Sequence, residues 1–198
     1  MKIIEQYHEI ISIPENLLQI IEKAGRTCYK SEDKITPDSA EKFVQMLIDR
    51  GHYAMIEFGY IIVKFVTNRG ITHELCSFEK ENTRYVNYGG DDIQFIKPVW
   101  LDDCDLIQRH DFECSCGDTE YNYKTMLRHG WSHEQACEVL PNALKTEIIV
   151  KGNIHEWRHT FTFRCSKATH PQMRALMIPC MHELRGKLPV VFDDIEPR

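Results

Sequence analysis

An apolar run followed at once by a long polar stretch is the feature that most constrains this fold. Residues 60–66 read Tyr-Ile-Ile-Val-Lys-Phe-Val, and this run predicts a buried strand. Thirteen of the eighteen residues in the following stretch 68–85 have side chains that hydrogen-bond or carry charge. Folds often place a site where a polar segment ends a core strand. We therefore predict that residues 68–85 contribute to a binding or active site.

Within this stretch, Asn82, Thr83 and Arg84 put an amide, a hydroxyl and a guanidinium side by side. These three groups suit a phosphate or carboxylate, which they can hold through charge-assisted hydrogen bonds. A solvated surface helix with internal ion pairs is the alternative interpretation of the same composition.

Length and charge restrict the class of protein. A chain of 198 residues predicts one domain with a sizeable core. The net charge of −6 argues against a general nucleic-acid binder but allows a small anion held by a few arginines. The sequence has no apolar stretch of membrane-spanning length and no signal-peptide core, so we expect a cytoplasmic protein with free cysteines.

Local signals predict several helices and strands. Thr36 and Pro37 predict the start of a helix that ends near Gly51, and His52 follows this end. Residues 102–117 read as a loop before a helix from 118 to 129, and Ser132 with Gln135 forms a capping box. Residues 146–151 predict a strand, Asn153 caps the next helix, and a last helix runs over 171–185 with a methionine-rich inner face.

Histidines and cysteines could indicate a metal. His155 and His159 lie four apart and share a helix face, but the chain lacks the His-Glu-x-x-His order and an evident third ligand. Contact of these two histidines with a bound ligand, or simple exposure to solvent, explains their spacing better than a metal site does. The predicted loop contains Cys104, His110, Cys114 and Cys116, whose spacing lacks the second cysteine pair typical of zinc sites. We therefore predict no metal.

Matching stretches in chain order identify a resemblance. They lie at residues 24–31, 50–52, 69–75, 77–85, 140–147, 156–164, 170–174 and 189–194. In these residues the chain resembles the flavin-dependent thymidylate synthase family over nearly its whole length. The resemblance implies a single α/β (α+β) domain over 1–198, with a central mixed or antiparallel sheet flanked by helices. It also implies a homotetramer with active sites between chains. From the net charge and the lack of a membrane-spanning stretch we expect no nucleic-acid or membrane partner.

The resemblance further implies a reaction. FAD is the cofactor, NADPH reduces it, methylenetetrahydrofolate donates a methylene group, and dUMP is methylated at C5 without an enzyme nucleophile. By position, Arg164 is similar to the arginine that polarises the uracil ring, and His52 to a histidine near methylene transfer. Both are candidate catalytic residues. The implied substrate-binding residues are Arg164 with Glu74, Lys80, Glu81, Asn82, Thr83 and Arg84, and the implied flavin-binding residues are His73, Asn153, His155 and His159.

The chain also departs from the family pattern. The family's Arg-His-Arg is missing: either Thr72-His73-Glu74 replaces it, or four residues are lost between Leu75 and Cys76. One helical turn contains about 3.6 residues, so the loss of four residues would shorten a helix by about one turn. The residues that follow would still point to nearly the same side of the helix. Cys137 stands where the family has a nucleotide-binding arginine. Two alternatives therefore stay open, namely the same chemistry on another uridine or cytidine nucleotide, and a non-catalytic nucleotide-binding homologue that has lost flavin.

Overall fold

The computed structural model describes residues 1–75 and 92–197, which form strands and helices. The strands are β1 (Lys2–Ile4), β2 (Tyr7–Ser12), β3 (Tyr60–Asn68), β4 (Gln94–Ile96) and β5 (Lys145–Asn153). The helices are α1 (Leu17–Cys28), α2 (Ala40–Asp49), α3 (Tyr53–Ile56), α4 (Arg69–Leu75), α5 (Leu106–Arg128), α6 (His133–Ala136), α7 (Ile154–Arg164), α8 (Pro171–Lys187) and α9 (Pro189–Phe192). Single 3₁₀ turns lie at Glu32–Lys34, Leu101–Asp103 and Cys137–Val139.

The strands form small sheets. One has the order β2-β3-β5 and is antiparallel; in the other, β1 pairs with β4 in parallel, with Lys2 opposite Gln94. An antiparallel bridge joins Phe95 to Leu144. The predicted α/β fold class is confirmed, and β3 includes the strand predicted at 60–66. Its inward positions are almost fully buried, as an apolar run at the centre of a sheet requires.

The described residues form two compact units. The first comprises 1–7, 65–75 and 92–148, and the second comprises 8–64 and 149–197. Strands β3 and β5 each pass along the chain from one unit into the other. The single domain over 1–198 stays a prediction.

A small cluster around α5 forms the core of the first unit. Its buried members include Tyr123 and Phe95 together with Ala136, Cys137 and Leu140. Helix α5 begins at Leu106, so the loop predicted over 102–117 is wrong for most of its length. Asp105 and Gln108 form a capping box that starts the helix early. The buried face of α5 is narrow, with only Cys116, Glu120 and Tyr123 inside, so the sequence showed little helical periodicity.

Helix packing forms the core of the second unit. Helices α1, α2 and α3 pack together, and α7 packs on α8, which packs on α9. The predicted inner face of α8 is confirmed, since the buried side chains are Met173, Leu176, Met177, Cys180, Met181 and Leu184 with Gln172. Trp157 and Phe161 stack inside this core with ring centroids 5.6 Å apart.

Two further predictions have a clear outcome. Helix α2 begins at Ala40 and not at Pro37, so that prediction is wrong by three residues. The Ser39 hydroxyl accepts from Thr36 N at 2.9 Å and donates to the Glu22 carboxylate at 2.9 Å, which holds residues 36–39 in a turn. The capping box of Ser132 and Gln135 is confirmed.

Every helix in the described part of the chain falls short of the length and apolar character that a membrane crossing requires.

Candidate functional site

The start of α7 is fixed against the turn between α3 and β3. Ile154 N donates to the carbonyl of Gly59 at 2.9 Å. Gly59 lies so close to Ile21 that an added Cβ would come within 2.9 Å of its Cδ1. The same Cβ would lie 3.1 Å from Cγ1 of Ile154, so a glycine at this turn allows the first turn of α7 to pack closely on it.

Asn153 begins α7 as predicted. Its side-chain oxygen accepts from Glu156 N at 2.8 Å, and the Glu156 carboxylate accepts from Asn153 N at 2.6 Å. This capping box uses the Asn153 oxygen inside the helix. Its amide N–H groups remain for a ligand, and its flavin-binding role stays a prediction.

His155 lies on the first turn of α7 against α3. Its Nδ1 is 3.2 Å from Oε1 of Glu57, and its ring stacks on Tyr53 with centroids 5.0 Å apart and planes 23° apart. The side chains of both ionic partners are more than two-fifths exposed, so the pair contributes little to stability. Its effect is to hold the imidazole in one orientation between a carboxylate and an aromatic ring.

The outer face of α7 continues this row of rings. Residues 155, 159 and 163 follow one another at helical spacing, and the His159 and Phe163 rings meet with centroids 4.4 Å apart. Both side chains are exposed, and Phe163 retains 58% of its surface. We call His155, His159 and Phe163 the imidazole face of α7. The opposite side of the helix is buried through Trp157, Arg158 and Phe161.

Arg164 is the last residue of α7, as predicted. Its side chain is half-buried, and as the basic residue of the last turn it complements the negative end of the helix dipole. Contact of Arg164 with a pyrimidine stays a prediction.

His52 precedes α3 and follows Gly51, whose φ of 68° is the left-handed turn that ends the preceding helix. Its Nδ1 lies 2.8 Å from the Tyr29 hydroxyl oxygen. His52 is exposed, and its role near methylene transfer stays a prediction.

The first unit contains two of the predicted site residues. His73 and Glu74 lie on α4, where His73 is exposed and Glu74 half-buried. The Asn68 oxygen accepts from Ile71 N at 2.8 Å and so fixes the start of this helix. The remaining predicted nucleotide-binding residues lie outside the described residues; these are Lys80, Glu81, Asn82, Thr83 and Arg84.

Cys137, at the position of the family arginine, is a core residue. It is 3% exposed and packs within the cluster of the first unit. Burial raises the pKa of its thiol, and raises those of Cys116 and Cys165 to about 11. Burial likewise raises the pKa of Cys180. These thiols are protonated at neutral pH, so none of them is a ready nucleophile. All seven described cysteines are free, as predicted.

Sequence reasoning did not find three aromatic residues of this surface. Tyr29 and Tyr53 contact histidines across the fold, and no sequence spacing indicates such contacts. Phe163 was detectable, because it lies four residues after His159 on the same predicted helix. Among the described residues no group of three or more metal-ligating side chains forms.

Comparison with known proteins identifies a family that this chain matches. The sequence model of the family described as thymidylate synthase complementing protein matches residues 9–190. The flavin-dependent thymidylate synthase of Mycolicibacterium vanbaalenii is 32% identical over 200 residues, which cover 89% of this chain and 79% of that protein. The enzyme of the same name from Mycobacterium tuberculosis is 31% identical over 201 residues, with the same coverage.

Solved structures share the fold. The UMP/dUMP methylase PolB of Streptomyces cacaoi, bound with 5-Br dUMP, superposes with a TM-score of 0.79 at 15% identity over 98% of this chain and 96% of that chain. Its complex with 5-Br UMP superposes with a TM-score of 0.73 at 12% identity, covering 98% of this chain and 95% of that one. At this level of identity the likeness establishes the fold.

Proposed function

The chain belongs to the thymidylate synthase complementing protein family, and we propose that it is a flavin-dependent enzyme that methylates dUMP at C5 to give dTMP. Methylenetetrahydrofolate is the proposed methylene donor and NADPH the proposed reductant. Support comes from the match over residues 9–190 and from relatives named flavin-dependent thymidylate synthase. A homotetramer and a cytoplasmic location remain predictions.

The imidazole face of α7 fits the planar, heteroatom-rich ring of a flavin. His155, His159 and Phe163 present three rings at the spacing of one helical turn, and at least two of them are well exposed. Aromatic faces stack on a planar ring, and imidazole nitrogens donate to or accept from its carbonyl and N–H groups. Together with Asn153, these residues would hold the cofactor. When bound and reduced, flavin supplies the hydride.

Arg164 and His52 are the proposed catalytic residues. A guanidinium at Arg164 would donate to the uracil edge and stabilise negative charge on the ring, which makes C5 more nucleophilic. His52 would lie near the site of methylene transfer, as the family resemblance implies. Substrate binding is assigned to Glu74, Lys80, Glu81, Asn82, Thr83 and Arg84, and His73 to the flavin site.

Four buried thiols are unsuited to act as an enzyme nucleophile. Of the described cysteines, Cys116, Cys137, Cys165 and Cys180 are buried with raised pKa values. A thiol in this state does not attack C6 of a pyrimidine at neutral pH. In the proposed reaction, polarisation by Arg164 replaces activation by a covalent bond.

The orientation of His155 by Glu57 and Tyr53 is the observation that carries the proposal, because an exposed imidazole held on two sides is typical of a ligand site. FAD titration of the purified protein tests it, with absorbance and intrinsic fluorescence followed with and without dUMP. We expect binding that dUMP strengthens, and tritium release from C5 of labelled dUMP when folate and NADPH are added. Absence of FAD binding at the highest FAD concentration of the titration would contradict the proposal. It would favour the interpretation as a non-catalytic homologue.

A changed acceptor is the second candidate, and the burial of Cys137 favours it. A thiol inside the core cannot donate charge-assisted hydrogen bonds as a guanidinium does, so the nucleotide contact that the resemblance implies at this position is missing. Parallel assays of tritium release from UMP, dCMP and dUMP show which nucleotide is the preferred acceptor. Faster release from UMP or dCMP than from dUMP would establish the second candidate.

A further inference from the structure

We propose that Tyr29 is a positioning residue that sets the tautomer of His52. The phenol donates its proton to the hydrogen bond with Nδ1, so the neutral imidazole carries its own proton on Nε2. His52 then offers an Nε2–H donor to an acceptor atom of a bound ligand, such as a ring carbonyl oxygen. Which ligand receives this bond rests on the proposed function; the tautomer itself rests on the contact between Tyr29 and His52 and on the chemistry of the two groups.

The contact between the two side chains is short. The Tyr29 hydroxyl oxygen lies 2.8 Å from Nδ1 of His52, within the range of a well-formed hydrogen bond. The two rings are inclined by 29°, with centroids 6.2 Å apart. Among the described residues, no hydrogen bond involves Nε2 of His52. This nitrogen is therefore the one that the fold leaves for a ligand.

The backbones that carry both rings are held in place. Tyr29 N donates to the carbonyl of Gly25 at 3.1 Å, and His52 N donates to the carbonyl of Leu47 at 2.8 Å. Between these points, α1 packs directly on α2. A Cβ at Gly25 would approach Cε1 of Phe43 to 2.6 Å, so only glycine permits this packing distance. Helix packing thus fixes the separation of the two backbone positions that carry Tyr29 and His52.

The direction of the hydrogen bond follows from the chemistry of its two partners. A phenol is a good donor, and its oxygen is a weak acceptor because a lone pair is delocalised into the ring. The unprotonated nitrogen of a neutral imidazole is a strong acceptor. The favoured arrangement is therefore O–H donating to Nδ1, which leaves the ring proton on Nε2. In this state His52 enters the reaction as a donor and not as a base at Nε2.

The tautomer can be measured on the full-length protein without any ligand. Long-range ¹H–¹⁵N spectra of protein labelled with ¹⁵N-histidine show which ring nitrogen carries the proton, at about pH 8, where an ordinary imidazole is neutral. His52→Gln identifies the His52 signals. We expect the Nε2–H form in the wild type and a mixture with the Nδ1–H form in Tyr29→Phe. A wild-type ring protonated on Nδ1, or an unchanged spectrum in Tyr29→Phe, would overturn the proposal.

Kinetics then test the positioning role. Tyr29 is half exposed, so Tyr29→Phe should fold normally. We expect kcat for tritium release to fall about three- to tenfold with an unchanged KM for dUMP, the effect of losing one neutral hydrogen bond. Tyr121→Phe removes an exposed phenol from α5 and should leave kcat unchanged. Equal kcat in Tyr29→Phe and wild type would refute the role in turnover. A wild-type protein without tritium release would instead refute the proposed function, while the spectra still decide the tautomer.

Discussion

Arg158 fastens the C-terminal segment to the buried side of α7, opposite the imidazole face. Its guanidinium donates to both carboxylate oxygens of Asp194 at 2.7 and 2.6 Å and to the carbonyl of Val191. The arginine side chain is about nine-tenths buried, whereas that of Asp194 is 56% exposed. Substitution Arg158→Met keeps the apolar stem of the side chain and removes the hydrogen-bonding fork. We predict that this variant is less stable than the wild type.

The expected loss of unfolding free energy is about 2–3 kcal/mol. Breaking a fully buried ion pair commonly costs roughly 3–5 kcal/mol, but Asp194 can return to water, so its share is smaller. The Val191 carbonyl loses its donor, which adds about 1 kcal/mol or more. For a chain of this size, 1 kcal/mol corresponds to roughly 2–4 °C in Tm, so we expect a decrease of about 4–12 °C.

Acid should remove the part of the stability difference between wild type and Arg158→Met that depends on the charge of Asp194. The hydrogen bond from Arg158 lowers the pKa of Asp194 in the folded state. A carboxyl with a lowered folded pKa stabilises the protein above its ordinary pKa of about 3.9, and this stability is lost as the pH falls through the folded value. The Tm gap between wild type and Arg158→Met should therefore be similar at pH 7 and pH 5 and smaller at about pH 3.

Thermal unfolding followed by circular dichroism is the assay, with Asp194→Asn as the matched control. Asparagine keeps the volume and one acceptor oxygen, so we expect about half the loss of stability and a weaker dependence on acid. A Tm of Arg158→Met within about 1 °C of the wild type at pH 7 would refute the inferred clamp. A gap that stays constant down to pH 3 would refute the contribution of charge.

Three further predictions concern the site and the thiols. Arg164→Ala should lower tritium release from dUMP by about a hundredfold or more with the oligomer size in gel filtration unchanged; normal turnover would mean that another group polarises the pyrimidine. Glu57→Gln should weaken FAD binding several-fold in a fluorescence titration because the partner of His155 loses its negative charge. Glu183→Gln breaks another carboxylate–histidine pair of the second unit and should not weaken binding, so equal losses would contradict a local effect. With a thiol reagent, Cys28 and Cys114 should react quickly in the native protein and the buried thiols only on unfolding; rapid native reaction of Cys180 would contradict its burial.

Local signals in the sequence determined several elements of this fold. The apolar run at 60–66 predicted β3 because the inward face of a core strand needs apolar side chains. Asn153 predicted the start of α7 and Ser132 that of α6, since capping boxes involve residues only three apart. The ordered family matches also identified the fold class. Each of these depends on neighbours in sequence or on a pattern spread over the whole chain.

Tertiary structure alone decided which side chains meet. Glu57 and His155 are 98 positions apart, and Tyr29 and His52 are 23 apart, so no local pattern predicts either contact. The family resemblance placed Cys137 at a ligand position, whereas packing with α5 puts it inside the core. Burial and long-range pairing depend on how helices approach one another, and this approach is set by close contacts such as Gly25 against Phe43. For this reason the sequence could predict α7 and its two histidines, while the partners that orient the imidazoles emerged only from the folded chain.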